Sequence, residues 1–417
     1  MPARRILFVA HLSPPSPLSA ARRVAGFVKH LGRNGHDVTV LTSRVAGTGP
    51  IEGAARVVRT RDLMVSRLNW RRGTFEALEG RAGTAAAADP SVLEGVVVPD
   101  LAIATWLPFA LPRARRLERP DVVITTGPPP SAHLVGVALH RAGVPWLADV
   151  RDGWRFERNR ADFPTAPQRA LDALLEALVA RIADRMTAVT EPIAADLRER
   201  LGGRAVAITN GFDPEEVDLG SAAAPDLLSP DRHSLLYTGR LAFVKRSPAP
   251  LLAGLRALRD RDPETARRVE VVFAGPLQAD EITEVTAPDL DGMSRFVGSL
   301  DRADTLRLQR AADTLLLITT GNPSETGQKL YEYLAADRPV LVIGDRTEAA
   351  RIVERAGAGL SAPLEDPGAI ADAIARMARE GVAPPSGGIA SQFAYDTLTA
   401  QLETEIEAAI RHHGASR

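Results

Sequence analysis

Two stretches of the chain place charged side chains where a strand gives way to a helix. The first follows a short apolar run at 234–238 and reads Gly239-Arg240-Leu241-Ala242-Phe243-Val244-Lys245-Arg246, ahead of a helical pattern from about Pro248. Glycine at 239 permits a tight turn. Arg240 and Lys245 add two cations beside a helix N-terminus, whose unpaired backbone amides already favour an anion. A bound diphosphate fits this pattern, and so does an Arg/Lys pair solvated on a loop. Each charge-assisted hydrogen bond to a phosphate would contribute roughly 1.5–3 kcal/mol. The second stretch follows a run at 313–318 and continues Thr319-Thr320-Gly321-Asn322-Pro323-Ser324-Glu325-Thr326-Gly327-Gln328-Lys329-Leu330-Tyr331-Glu332. On a helix there, Glu332 can face a ligand while Leu330 and Leu334 face the core. A carboxylate so placed could accept both hydroxyls of a ribose; an isolated glutamate would otherwise be an exposed helical residue. In the first half, 127–133 and Arg151-Asp152-Gly153-Trp154 each follow a strand candidate. His133 and Asp152 are therefore candidates for contacting an acceptor or the transferred group. The alternatives are a helix-start histidine bonded to backbone and a carboxylate paired with Arg151 or Arg155.

The elements that must position these groups recur along the chain. Strand candidates lie at 6–10, 37–42, 122–126, 146–150, 186–189 and 206–209, then at 234–238, 269–274, 295–297, 313–318 and 340–343. Helical patterns separate them. Alternation of this kind predicts an α/β protein with two parallel sheets covered by helices, two Rossmann-like domains in series. The segment 217–233, VDLGSAAAPDLLSPDRH, has neither strand nor helix periodicity and is the expected linker. The expected domains are 1–216 and 234–396, with the tail 397–417, helical over 397–411, packing back on the first. Open sheets bind ligands beyond the carboxyl ends of their strands, so two such domains facing each other would form a cleft there. The pattern over 167–185 predicts an amphipathic helix packed against a neighbour rather than inserted in a membrane.

Composition narrows the function further. A chain of 417 residues, 45% hydrophobic and 25% charged, suits two or three globular domains. With 51 basic and 52 acidic residues the net charge is -1, so no global positive field draws the chain to nucleic acid, and any phosphate site must be local. Zero cysteines exclude disulfides, thiolate-ligated metals and a thiol nucleophile, and favour the cytoplasm. The basic start and short apolar run at the N-terminus are followed by Pro14, Pro15 and Pro17, where a signal peptide would need a small-residue cleavage site. They read as a first strand. No run of apolar residues reaches the roughly 18 needed to span a membrane, which leaves peripheral contact at the inner membrane face open. Asp260-x-Asp262 and Asp289-x-Asp291 read as solvated charge, and the 8 histidines lack a metal-binding HxxxH spacing, so no metal site is expected.

The segment 327–340, GQKLYEYLAADRPV, resembles the C-terminal signature of retaining family-4 glycosyltransferases of the GT-B fold. The turn from Gly239-Arg240 to Lys245 resembles their diphosphate-binding loop. Segments 14–43, 121–154, 188–201 and 208–213 follow in the family's order, so the resemblance covers nearly the whole chain. It is closest to bacterial transferases that build surface glycans or glycosylate secondary metabolites. The resemblance implies a nucleoside-diphosphate sugar as co-substrate with no other cofactor. It implies retaining, metal-independent hexosyl transfer to a small-molecule, glycan or lipid-linked acceptor, with donor on the second domain and acceptor on the first. It assigns Arg240 and Lys245 to the donor diphosphate, Glu332 to the ribose, and Gly239, Thr326, Gly327, Lys329 and Leu330 to the donor site. The family's earlier glutamate falls at Ser324, one residue before Glu325. Either a loop adjustment lets Glu325 serve near the sugar, or that role is vacant or falls to the amides of Thr326-Gly327. Ser19, Ala20 and Ala21 stand where the family has a glycine-rich first loop. The segment 98–109 resembles the family's variable acceptor side, where Trp106 and Phe109, if exposed, could meet an aglycone or lipid. Two further readings are a GT-B-fold epimerase or phosphorylase, and a non-catalytic protein that binds nucleotide sugars or glycans.

Overall fold

A computed structural model describes residues 2–16, 19–44, 47–63, 97–157, 162–218, 223–241, 246–382, 384 and 388–415. The chain divides into two units, Met1–Asn210 with Tyr395–Arg417, and Gly211–Ala394. The first holds a parallel sheet of β1 Arg5–Ala10, β2 Asp37–Ser43, β3 Arg56–Thr60, β4 Val122–Gly127, β5 Trp146–Val150, β6 Arg185–Ala188 and β7 Ala205–Ala207, in the order β3-β2-β1-β4-β5-β6-β7. The second holds β8 His233–Thr238, β9 Val269–Ala274, β10 Ser294–Phe296, β11 Thr314–Ile318, β12 Val340–Ile343 and β13 Gly359–Ala362, in the order β10-β9-β8-β11-β12-β13. The strand order reverses beside β1 and β8, each of which pairs in parallel on both sides. Loops leaving a sheet at such a reversal diverge to opposite faces and leave room for a ligand.

Central strands are continuous apolar runs because helices cover both faces; β11 (TLLLI) and β12 (VLVI) are buried throughout. The sequence gives no strand signal for β3 (RVVRT) or β13 (GLSA), and both lie at sheet edges. An edge strand pairs on one side only and tolerates Arg, Gly and Ser that a central strand would not.

Helix Tyr395–Ala415 lies in the first unit, where Tyr395, Leu398, Leu402 and Ile406 join the core of Phe8, Val24 and Phe27. Gly26 makes room for it, since a Cβ there would meet the Tyr395 ring at 2.4 Å. The chain enters the second unit at Gly211, upstream of the expected linker at 217–233, because Phe212 and Val217 are buried in the second unit's core and Phe212 pairs with Ala394. Helix Ala166–Ile182 turns a face inward that differs from the sequence expectation. Asp172 and Glu176 are buried, taking hydrogen bonds from the Trp154 indole (2.8 Å) and the Arg200 guanidinium (2.8 and 2.9 Å). Leu171 and Leu174 are 46% and 64% exposed. Trp106 is fully buried and donates to Thr60 Oγ1 at 2.9 Å, so it belongs to the core and not to an exposed acceptor surface; Phe109 is half-buried. Asp262 caps helix Pro263–Arg267, and Asp289 pairs with Arg256 and Arg259. Among the described residues, no helix is long and apolar enough to cross a membrane.

Candidate functional site

In the second unit the chemistry-bearing residues gather where β8, β9 and β11 end. Gly239 follows β8 with φ +97°, and its N–H donates to the Ala274 carbonyl at 2.6 Å. A Cβ on Gly275, after β9, would lie 2.6 Å from the Gly239 Cα. The two loops thus meet backbone to backbone, and only glycine fits this contact and this φ. Lys329 approaches the same turn from the helix Gln328–Ala335. Its Nζ lies 4.3 Å from the centroid of the Tyr237 ring and would be 2.7 Å from a Cβ at position 239. The Tyr237 hydroxyl donates to the Arg240 carbonyl at 2.6 Å, which fixes the backbone beneath the half-buried Arg240 side chain. Tyr333 fixes Thr238, whose N–H donates to the phenol oxygen at 3.2 Å; burial pushes this phenol up to about 12, so it stays protonated. Lys245 lies outside the described residues.

The loop after β11 is pinned by a single carboxylate. Glu325 Oε1 accepts from Arg246 Nη2 (2.7 Å) and Nε (3.0 Å), and Oε2 accepts from the Thr320 N–H and hydroxyl, both at 2.7 Å. Both oxygens are engaged by neighbouring residues. Gly327 then begins the helix at φ +72°, with no side chain capping the first turn. A Cβ at 327 would come within 3.1 Å of the Arg246 guanidinium. An uncapped helix start beside Lys329 is a favourable place for an anion. Thr326 is buried and Leu330 lies wholly in the core, while the Gln328 side-chain amide donates to the Gly211 carbonyl. Glu332, one turn along the helix, is buried and held in a two-pronged pair by Arg302 (2.8 and 3.1 Å), which also reaches Glu216 at 2.8 Å. Although burial would lower it, the two carboxylates raise the Arg302 pKa further above its ordinary value.

In the first unit the expected residues flank the ends of β4 and β5. His133 is 2% exposed, its Nδ1 is 2.8 Å from Thr125 Oγ1, and its ring stacks on Trp154 at 6.3 Å. Thr125 also accepts from the Trp146 indole at 2.8 Å. Burial lowers the His133 pKa to about 4, and the ring is neutral near pH 7. Arg151 donates to the carbonyls of Gly127 and Pro128, both at 3.0 Å, fixing the loop that leads into His133. Asp152 is exposed. Beneath these loops, Asp149 is buried and bonded to Arg23, Thr126 and Thr187. Burial raises its pKa, but the Arg23 charge and the hydrogen bonds outweigh this and hold it below the usual carboxylate range.

The structure thus brings Gly239, Arg240, Glu325, Gly327 and Lys329 together, with Glu332 one turn away. It adds Arg246, Arg302 and Tyr333. Arg246 adjoins Lys245 in the sequence, whereas Arg302 comes from a helix start with no local signal of its own.

Residues 20–211 match the glycosyl transferase 4-like domain, and residues 232–380 match the glycosyl transferases group 1 domain. The chain belongs to this family of GT-B glycosyltransferases. A D-inositol 3-phosphate glycosyltransferase from Nocardiopsis dassonvillei is 29% identical over 206 residues, 48% of this chain and 44% of that relative, so the match spans less than half of its length. Sucrose-phosphate synthase from Thermosynechococcus elongatus is similar in fold, with a TM-score of 0.65 over 99% of this chain and 100% of that one at 16% identity. HepE from Anabaena, solved in complex with UDP, has a TM-score of 0.60 over 97% of this chain and 100% of that one, also at 16% identity.

Proposed function

We propose that the protein transfers a hexosyl group from a nucleoside-diphosphate sugar to an acceptor hydroxyl, with retention at the anomeric carbon and no metal ion or other cofactor in the reaction. The observation that carries this reading is the convergence of the Gly239 turn, Arg240, Lys329 and the uncapped helix start at Gly327 on one end of the second sheet. That end offers two cations and a helix start without a side-chain cap to a diphosphate. A similar fold in HepE is solved with UDP, which supports the same class of donor. Glu332, oriented by Arg302, supplies the carboxylate for a ribose diol.

In the reaction the bond between the anomeric carbon and the diphosphate oxygen breaks while the acceptor oxygen bonds that carbon on the same face. The acceptor proton passes to the departing diphosphate, so no protein nucleophile is needed. Arg240, Lys245 and Lys329 stabilise the charge that grows on the leaving group. Glu325 has no free oxygen for the sugar and serves as a positioning residue for Arg246 and the loop. The first unit binds the acceptor, with the exposed Asp152 at its edge and the buried, neutral His133 shaping the 127–133 loop.

Thermal-shift screening with UDP, ADP and GDP and their sugar conjugates tests the reading, since a ligand that binds only the folded state raises the melting temperature. The expected result is stabilisation by one nucleoside diphosphate and slow release of sugar from the matching donor in the absence of acceptor. Binding with no release in the presence or absence of acceptors would establish a non-catalytic binder instead, and donor interconversion an epimerase.

A further inference from the structure

In the first unit three histidines converge on one buried carboxylate. Asp184, 2% exposed, precedes β6, and its Oδ2 accepts from the Trp146 N–H at 2.8 Å. The same oxygen lies 3.1 Å from His140 Nδ1 and 3.2 Å from His413 Nδ1, while Oδ1 lies 3.2 Å from His412 Nδ1. His140 sits at the end of helix His133–Arg141, and His412 and His413 lie near the end of helix Tyr395–Ala415. One potential ligand atom from each of His140, Asp184 and His413 lies within 4.8 Å of the others.

We propose that His140, Asp184 and His413 bind a divalent transition-metal cation, Zn2+ foremost, with water completing the coordination. The spacing of the donor atoms matches a metal's coordination shell. The His140 and His413 nitrogens stand 3.1 and 3.2 Å from Oδ2, near the edge of about 3.3 Å that a tetrahedron with bonds of about 2.0–2.1 Å requires. Two imidazoles and a carboxylate suit Zn2+ and not the all-oxygen preference of Ca2+ or Mg2+. His413 Nε2 is buried with no hydrogen-bond partner. Nothing on that side of the ring fixes the tautomer, and the proton can move to Nε2 to leave Nδ1 as a ligand. The His140 and His412 side chains are 23% and 33% exposed, which gives an ion a path to the buried oxygen. A bound ion would tie the end of the C-terminal helix to β5 and β6, acting on the stability of the first unit and taking no part in sugar transfer.

The test uses the full-length protein, freed of any purification tag, stripped with a chelator and titrated with Zn2+ against a chromophoric competitor. One Zn2+ per chain should bind, and a hundredfold excess over Kd should raise the melting temperature by about 5 °C. His140→Gln and His413→Gln, shown folded by circular dichroism, should each bind Zn2+ at least about tenfold more weakly. His140 is partly exposed, so its variant remains informative even if the His413 variant fails to fold. Absence of stoichiometric binding by the wild type, or unchanged affinity in the folded variants, would overturn the site.

Discussion

Glu325 stands one residue from the position of the family's earlier glutamate, and its structural setting predicts what its removal does. Its side chain is 14% exposed and that of Arg246 9% exposed, so the ion pair is largely shielded from water. Breaking a buried pair from one side costs about 3–5 kcal/mol, because the remaining charge stays desolvated. Glu325→Ala also leaves the Thr320 N–H without its acceptor, a further cost of about 1–3 kcal/mol if water cannot reach it. Residual solvent access places the expected loss at the low end, about 3 kcal/mol, or roughly a hundredfold in the folding equilibrium of the second unit. Glu325→Gln, which still accepts from Thr320, should lose about half of this. Arg246→Ala combined with Glu325→Ala should cost about 2 kcal/mol less than the sum of the single changes. The assay can separate the units, because the 4 tryptophans, at 70, 106, 146 and 154, all precede Gly211. Tryptophan fluorescence in urea then follows the first unit, while the circular-dichroism transition of the second should move to lower denaturant. A Glu325→Gln variant with unchanged stability and a strongly reduced kcat would refute the argument, since it would place the carboxylate on the reacting sugar.

Arg240→Ala should lower kcat about a hundredfold, corresponding to about 2.7 kcal/mol of charge stabilisation present mainly in the transition state. Glu332→Ala and Arg302→Ala should chiefly raise the donor KM, because the ribose is held equally in ground and transition states; steady-state kinetics with varied donor would show otherwise if kcat fell instead. His133 is neutral when folded but takes a proton near pH 6.5 when unfolded, so its contribution is complete above that pH and is lost as pH falls from about 6.5 to about 4. Denaturation of the first unit at pH 7 and pH 5 should therefore show a smaller acid-induced loss in a folded His133→Gln variant than in wild type. Turnover at a temperature well below melting should change less than about twofold on adding EDTA, Mg2+ or Mn2+; restoration of lost activity by either ion would contradict the proposed mechanism.

Runs such as β11 and β12 announce themselves in the sequence because a parallel strand buried on both faces must be apolar throughout. Gly239 was legible for a related reason, since it stands where a strand hands over to a helix, at a positive φ, whereas Gly327 entered through the family resemblance. Strands β3 and β13 were not legible, since their residues carry no continuous apolar pattern. The inward face of helix Ala166–Ile182 was also hidden, because periodicity cannot foresee that Trp154 and Arg200 make Asp172 and Glu176 suitable for burial. Pairings that join distant parts of the chain were decided by tertiary structure alone. Glu332 meets Arg302, Arg23 meets Asp149, and His140 meets Asp184 and His413 only after helices and strands have packed. A motif records spacing along a chain, whereas these contacts depend on which sheet ends and helix termini come within about 3 Å in space, a distance at which hydrogen bonds act.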